Sequence, residues 1–63
     1  MDNIINGMIT GMCQMGATLV DIRDGFIYFN IKIGSEIDND QKLIRASDAF
    51  QKFGLVVKIR WVD

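Results

Sequence analysis

From Phe26 to Ile33 every second residue is a large apolar one, with Ile27, Phe29, Ile31 and Ile33 pointing one way and Phe26, Tyr28, Asn30 and Lys32 the other. Successive side chains of a strand project to opposite faces, so this run predicts a β-strand with one buried face. Gly25 and Gly34 bracket it. A strand needs a partner, and the β-branched stretch from Ala17 to Ile22 supplies one. Arg23-Asp24-Gly25 reads as the turn of a hairpin, with Gly25 free to take a positive φ.

Before the hairpin, Asp2 to about Met15 predicts a helix. Ile5, Ile9, Met12 and Gly16, with Met8 and Met15 beside them, recur at three- and four-residue spacings. Asp2 or Asn3 is the expected cap, and Gly16 the expected stop. Gly7 and Gly11 lie inside it, each costing about 1 kcal/mol against alanine, so the helix needs packing to persist. Ile4 to Val20 carries no charge. At about 26 Å as a helix, with Asn6, Thr10 and Gln14 interrupting it, this stretch falls short of the ~20 apolar residues of a membrane span.

After the hairpin, Asp38 and Gln41 are spaced as a capping box that opens a second helix. Leu43, Ala46, Phe50 and Phe53 form its apolar stripe, with Ile44 and Ala49 at the edges, and Gly54 closes it. Asp48 and Lys52 are spaced as an i, i+4 ion pair. Leu55 to Val62 alternates again, with Leu55, Val57, Ile59 and Trp61 inward and Val56, Lys58, Arg60 and Val62 outward. The fold class is therefore α+β, in the order α-β-β-α-β, with a three-stranded sheet and helices on one face. The inner face is expected to carry Val20, Ile22, Ile27, Phe29, Ile31, Val57, Ile59 and Trp61. The last strand lies parallel to the second or beside the first.

Sixty-three residues without proline or a linker make one domain, residues 1–63. A chain this short buries roughly 60% of its unfolded surface and usually needs a further staple. One cysteine and no histidine rule out an intrachain disulfide and leave too few soft ligands for zinc. Self-association remains, and 49% hydrophobic residues favour it. The candidate dimer seam is Gly7, Met8, Gly11, Met12 and Met15, small and adaptable residues along one helix.

Without histidine the commonest general base is missing, and no Ser-His or Cys-His pair can form within the chain. Cys13 is expected to be buried beside Ile9 and Met12. Glu36, Asp38 and Asp40 are spaced like the first half of a calcium loop, but Gln41 and Ser47 stand where its glycine and bidentate glutamate belong; helix capping explains these acids better. An enzyme using Asp21 and Asp24 with an added metal ranks last, and no cofactor or metal is expected.

The net charge of −1 argues against duplex binding and against an acidic nucleic-acid mimic. The outer sheet face is the candidate partner-binding surface: Arg23, Phe26, Tyr28, Lys32, Lys58 and Arg60, with Leu19, Val56 and Val62 among them. Exposed apolar area rimmed by charge suits a protein partner. Aromatic rings beside cations would also hold a single strand of nucleic acid, the alternative reading as a nucleic-acid-binding or transcriptional regulatory protein. The leading expectation is a non-catalytic homodimeric interaction module, a small inhibitor or regulator of a larger macromolecule. By size alone it suits the virus- and mobile-element-encoded inhibitors of host defence, anti-CRISPR proteins included. A lone cysteine and no secretory n-region make it cytoplasmic, with no membrane partner.

Overall fold

A computed structural model describes residues 3–63. Helix α1 spans Asn3–Gln14, strand β1 Ala17–Arg23, strand β2 Phe26–Lys32, helix α2 Asp40–Gln51 and strand β3 Val56–Val62. The expected α-β-β-α-β order holds, and so does the three-stranded sheet. Strand order is β1-β2-β3, with β1 antiparallel and β3 parallel to β2. The alternating strand therefore sits in the centre, where its inward Ile27, Phe29 and Ile31 are fully buried. Ile33 was expected to continue that row; it lies past the end of β2, beside the positive-φ Gly34, and is exposed.

The hairpin closes in two residues. Asp24 at φ 53° and Gly25 at φ 79° are both left-handed, the geometry that matches the twist of the flanking strands. As anticipated, the chain leaves α2 through Gly54 at φ 78°, its N–H donating to the Gln51 carbonyl (3.0 Å) and the Leu55 N–H to that of Phe50 (3.1 Å). The start of α2 differs from expectation. Asn39, not Asp38, caps it, accepting from the Lys42 N–H at 3.1 Å, because the Asp38 carboxylate is engaged by the Gly34 N–H at 2.8 Å. The start of α1 leaves Asp2 outside the described residues and places Asn3 within the helix.

Both helices cover one face of the sheet. Ile9 and Met12 of α1, Phe50 of α2 and the loop residue Ile37 join Ala17, Ile27, Phe29 and Ile31 in one core. Phe50 stacks obliquely on Phe29, ring centres 5.8 Å apart. Phe53 was expected to share this stripe, but α2 stops at Gln51 and leaves that ring exposed. Asp48 and Lys52 form no ion pair, since Lys52 follows the last helical residue and only its backbone N–H bonds back, to the Asp48 carbonyl. Cys13 is exposed rather than buried. One residue on a helix is a rotation of about 100°, which carries Cys13 away from the stripe of Ile5, Met8, Ile9, Met12 and Met15 that meets the core.

The register of β1 changes the expected faces. Leu19 pairs with Phe29 and Asp21 with Tyr28, so Val20 is the extra residue of a β-bulge. Ala17, Leu19 and Ile22 consequently face the core, and Val20, expected inside, is 57% exposed. Leu19 leaves the outer face for the same reason.

Candidate functional site

Among the described residues, no helix covers the second face of the sheet. Pairing of Arg23 with Phe26, Asp21 with Tyr28 and Thr18 with Asn30 places these residues on it, and the parallel register adds Val56, Lys58, Arg60 and Val62. Strand alternation thus delivers all six expected residues, Arg23, Phe26, Tyr28, Lys32, Lys58 and Arg60, to one surface. Among the described residues, the strands bring four cations and one carboxylate, Asp21, to it, while Asp24 sits in the hairpin turn and Asp63 follows β3. The net charge of the chain conceals this. Glu36, Asp38, Asp40 and Asp48 lie elsewhere, on α2 and the loop before it.

Two of the cations are held in place by rings. The Arg23 guanidinium lies 4.8 Å from the centre of Tyr28, and the Lys58 ammonium 5.1 Å from that of Phe26. Each such contact is worth about 0.5–1 kcal/mol at an exposed site. Phe26 and Tyr28 lean together with ring centres 6.3 Å apart, so both cations rest on one aromatic pair. Arg23 also lies 3.7 Å from the Asp21 carboxylate, an exposed pairing. Lys32, Lys58 and Arg60 have no carboxylate partner among the described residues.

Beside the rings is an open depression of about 330 Å³. Tyr28, Asn30, Lys58 and Arg60 line it, the chain at Phe29 and Ile59 runs beneath, and Val20 forms one wall. Val20 is the residue that sequence periodicity placed inside. A strict two-residue alternation carries no sign of a bulge, and the bulge brings an apolar wall to a basic depression.

The acidic run before α2 acts locally. Glu36 pairs with the Lys42 ammonium at 3.2 Å, Asp38 closes the turn at Gly34, and Asp40 sits in the first turn of α2. Among the described residues no cluster of ligating side chains is arranged to hold a metal ion, and no helix is long and apolar enough to cross a membrane.

The expected dimer seam divides in two. Met12 is buried in the chain's own core, with Met8 and Met15 packed against it, so these side chains serve the monomer. Gly7 and Gly11 face away; a methyl group built on either meets nothing within 4 Å. Gly7→Ala and Gly11→Ala are therefore expected to stabilise the fold by about 1 kcal/mol each, read as a higher thermal midpoint. An unchanged light-scattering mass would accompany that gain if this side of α1 meets water, whereas a lower mass would mark a seam.

No protein-family model, curated protein or solved structure matches this chain, and the functional reading rests on its own surface.

Proposed function

We propose that the chain is a non-catalytic protein-interaction module that docks the open face of its sheet on an acidic surface of a larger macromolecule and so inhibits or regulates it. The observation that carries this reading is the uncovered face whose strands bring four cations and one carboxylate together, two of the cations resting over rings. A side chain already held in one rotamer loses less entropy on binding, where each mobile one costs about 0.5–1.5 kcal/mol. Val20 and Val56 add apolar area suited to a protein. The small inhibitors encoded by viruses and mobile elements remain the class that such a chain fits, by analogy of size.

Single-stranded nucleic acid is the second reading, favoured by the pairing of rings with cations on one sheet face. To stack on Tyr28 or Phe26 a base would displace a cation, losing about 0.5–1 kcal/mol against the roughly 1–3 kcal/mol that stacking yields. That loss reduces the advantage without abolishing it. The valines on the face contribute little to a nucleic acid, and they tip the choice toward protein.

Self-association belongs to the proposal only through the Gly7 and Gly11 side of α1. A monomeric mass by light scattering at micromolar concentration removes it. The main test is affinity purification from native cells with the parent chain and a Lys58→Glu, Arg60→Glu variant. Both substitutions are on exposed side chains, where stability changes stay within about 0.5 kcal/mol. A partner held by the parent and lost both by this variant and by an Arg23→Ala, Tyr28→Ala variant supports the face, and one held equally by the parent and both variants refutes it. Salt-dependent anisotropy of a labelled oligothymidylate, abolished by Tyr28→Ala and Arg60→Ala, would replace the protein reading with the nucleic-acid one.

A further inference from the structure

β3 is an edge strand, and among the described residues no element covers its free side. It pairs only with β2, and bonds at the two ends of that ladder set its parity: the Val56 N–H donates to the Gly25 carbonyl (2.9 Å), and the Val62 carbonyl accepts from the Ile33 N–H (2.8 Å). In a parallel ladder alternate residues bond to the same neighbour. The even-numbered residues of β3 therefore face β2, and Val57, Ile59 and Trp61 turn their N–H and C=O groups to the open edge.

The side chains of these three residues lie on the helix-covered face of the sheet, where Ile31 pairs with Trp61 and Phe29 with Ile59. That face was expected to be closed along all of β3. Val57 packs against the core, but Ile59 is 36% and Trp61 47% exposed. The outer side of the same strand carries Lys58 and Arg60. Edges are normally blunted by charged side chains, proline, bulges or a covering element, and of these β3 carries the charges of Lys58 and Arg60. The other edge, β1, has its bulge at Val20; β3 has no bulge, no proline and continuous register.

We propose that the free edge of β3 binds an extended segment of a partner protein in which apolar residues alternate with acidic ones, adding it to the sheet as a fourth strand. Backbone bonds to Val57, Ile59 and Trp61 align the segment, its apolar residues cover Ile59 and Trp61, and its carboxylates meet Lys58 and Arg60. Charge decides against a second copy in that place. Antiparallel self-pairing along the whole strand centres on Ile59 and sets each Lys58 opposite an Arg60 of the other copy, a like-charge pair that destabilises the ladder. Centring on Val57 or Trp61 instead avoids that pair and leaves much of the strand unpaired. This edge is separate from the open face, although Lys58 and Arg60 border both.

The test titrates the full chain into two labelled peptides matched to the seven residues of β3, one alternating valine with glutamate and one valine with lysine. Binding is followed by anisotropy and amide exchange by nuclear magnetic resonance. The valine-glutamate peptide is expected to bind at least about tenfold more tightly and to slow exchange at the amides of Val57, Ile59 and Trp61. Ile59→Pro, which removes a donor from the free edge only, weakens that binding. Lys58→Glu with Arg60→Glu inverts the preference. Arg23→Ala with Tyr28→Ala alters the open face and leaves peptide binding unchanged, so failure of the face and failure of the edge are told apart. If Ile59→Pro does not fold, exchange in the parent chain still decides. Equal affinity for the two peptides, or exchange at those three amides unaffected by either, overturns the proposal. So does protection in the free chain that grows with its concentration, which would assign the edge to a second copy.

Discussion

Ile37→Ala is expected to lower the thermal midpoint by roughly 10–30 °C, taking about 2–4 kcal/mol of lost stability at about 4–8 °C per kcal/mol for a domain this small. Ile37 lies in the loop between β2 and α2, outside any helix or strand, and yet no part of it is exposed. It belongs to the same core cluster as Ile9, Met12, Phe29 and Phe50, and its N–H donates to the Met15 carbonyl at 3.0 Å. The side chain thus bridges both helices and the sheet. A 63-residue domain has on the order of 3–9 kcal/mol in total, so the loss consumes a large share. Ile44→Ala is the matched control: that isoleucine is 61% exposed on α2 and should change the midpoint by only a few degrees. Thermal denaturation followed by circular dichroism checks both, and equal shifts would show that Ile37 is not the plug its burial indicates.

Gly16→Ala should be as damaging for a different reason. Gly16 joins α1 to β1 with φ at 108°, where a residue bearing a Cβ is strained by about 1–3 kcal/mol. Space adds to this. A methyl group there collides with the Ser35 Cβ and comes within 2.7 Å of its Oγ. Ser35 has little freedom to withdraw, since its hydroxyl donates to the Lys32 carbonyl at 2.6 Å and its N–H to the same carbonyl at 3.1 Å. The Gly16 carbonyl in turn accepts from the Lys32 N–H at 3.2 Å, which ties the junction to the end of β2. Ser35→Gly in the Gly16→Ala background should recover the collision and not the backbone strain, so a double-mutant cycle gives partial rescue. Full rescue would mean the backbone accepts alanine, and no rescue would mean the collision is relieved by other movement. Gly7 and Gly11, with open space around them, make the contrast.

The candidate surface was legible to the extent that alternation is. Tyr28 and Phe26 on β2, Lys58 and Arg60 on β3 and Arg23 at the hairpin end share a face because side chains alternate in period two and the register keeps the parity along all of β3 and between the hairpin turn and the bulge in β1. The depression was not legible, because its Val20 wall depends on a bulge in the pairing of β1 with β2. Periodicity also placed Ile59 and Trp61 on the correct side of the sheet without revealing that no helix reaches far enough to cover them. How far a helix overhangs its sheet is a matter of packing, not of spacing.

The order of elements, the alternating strand after Gly25, the Asp24-Gly25 turn and the glycine stops of both helices were determined by the sequence alone, since each depends on residues close together in the chain whose conformational preferences agree; the central place of that strand was decided by the pairing of β3 with β2. Tertiary structure alone decided which cap α2 uses, that Ile37 enters the core, that Cys13 stays outside and that the edge of β3 is left open. Those outcomes turn on contacts between residues distant in sequence. Asn39 caps α2 because Asp38 is engaged by Gly34, and Ile37 is buried because α1, α2 and β2 converge where a single loop side chain can fill the space between them.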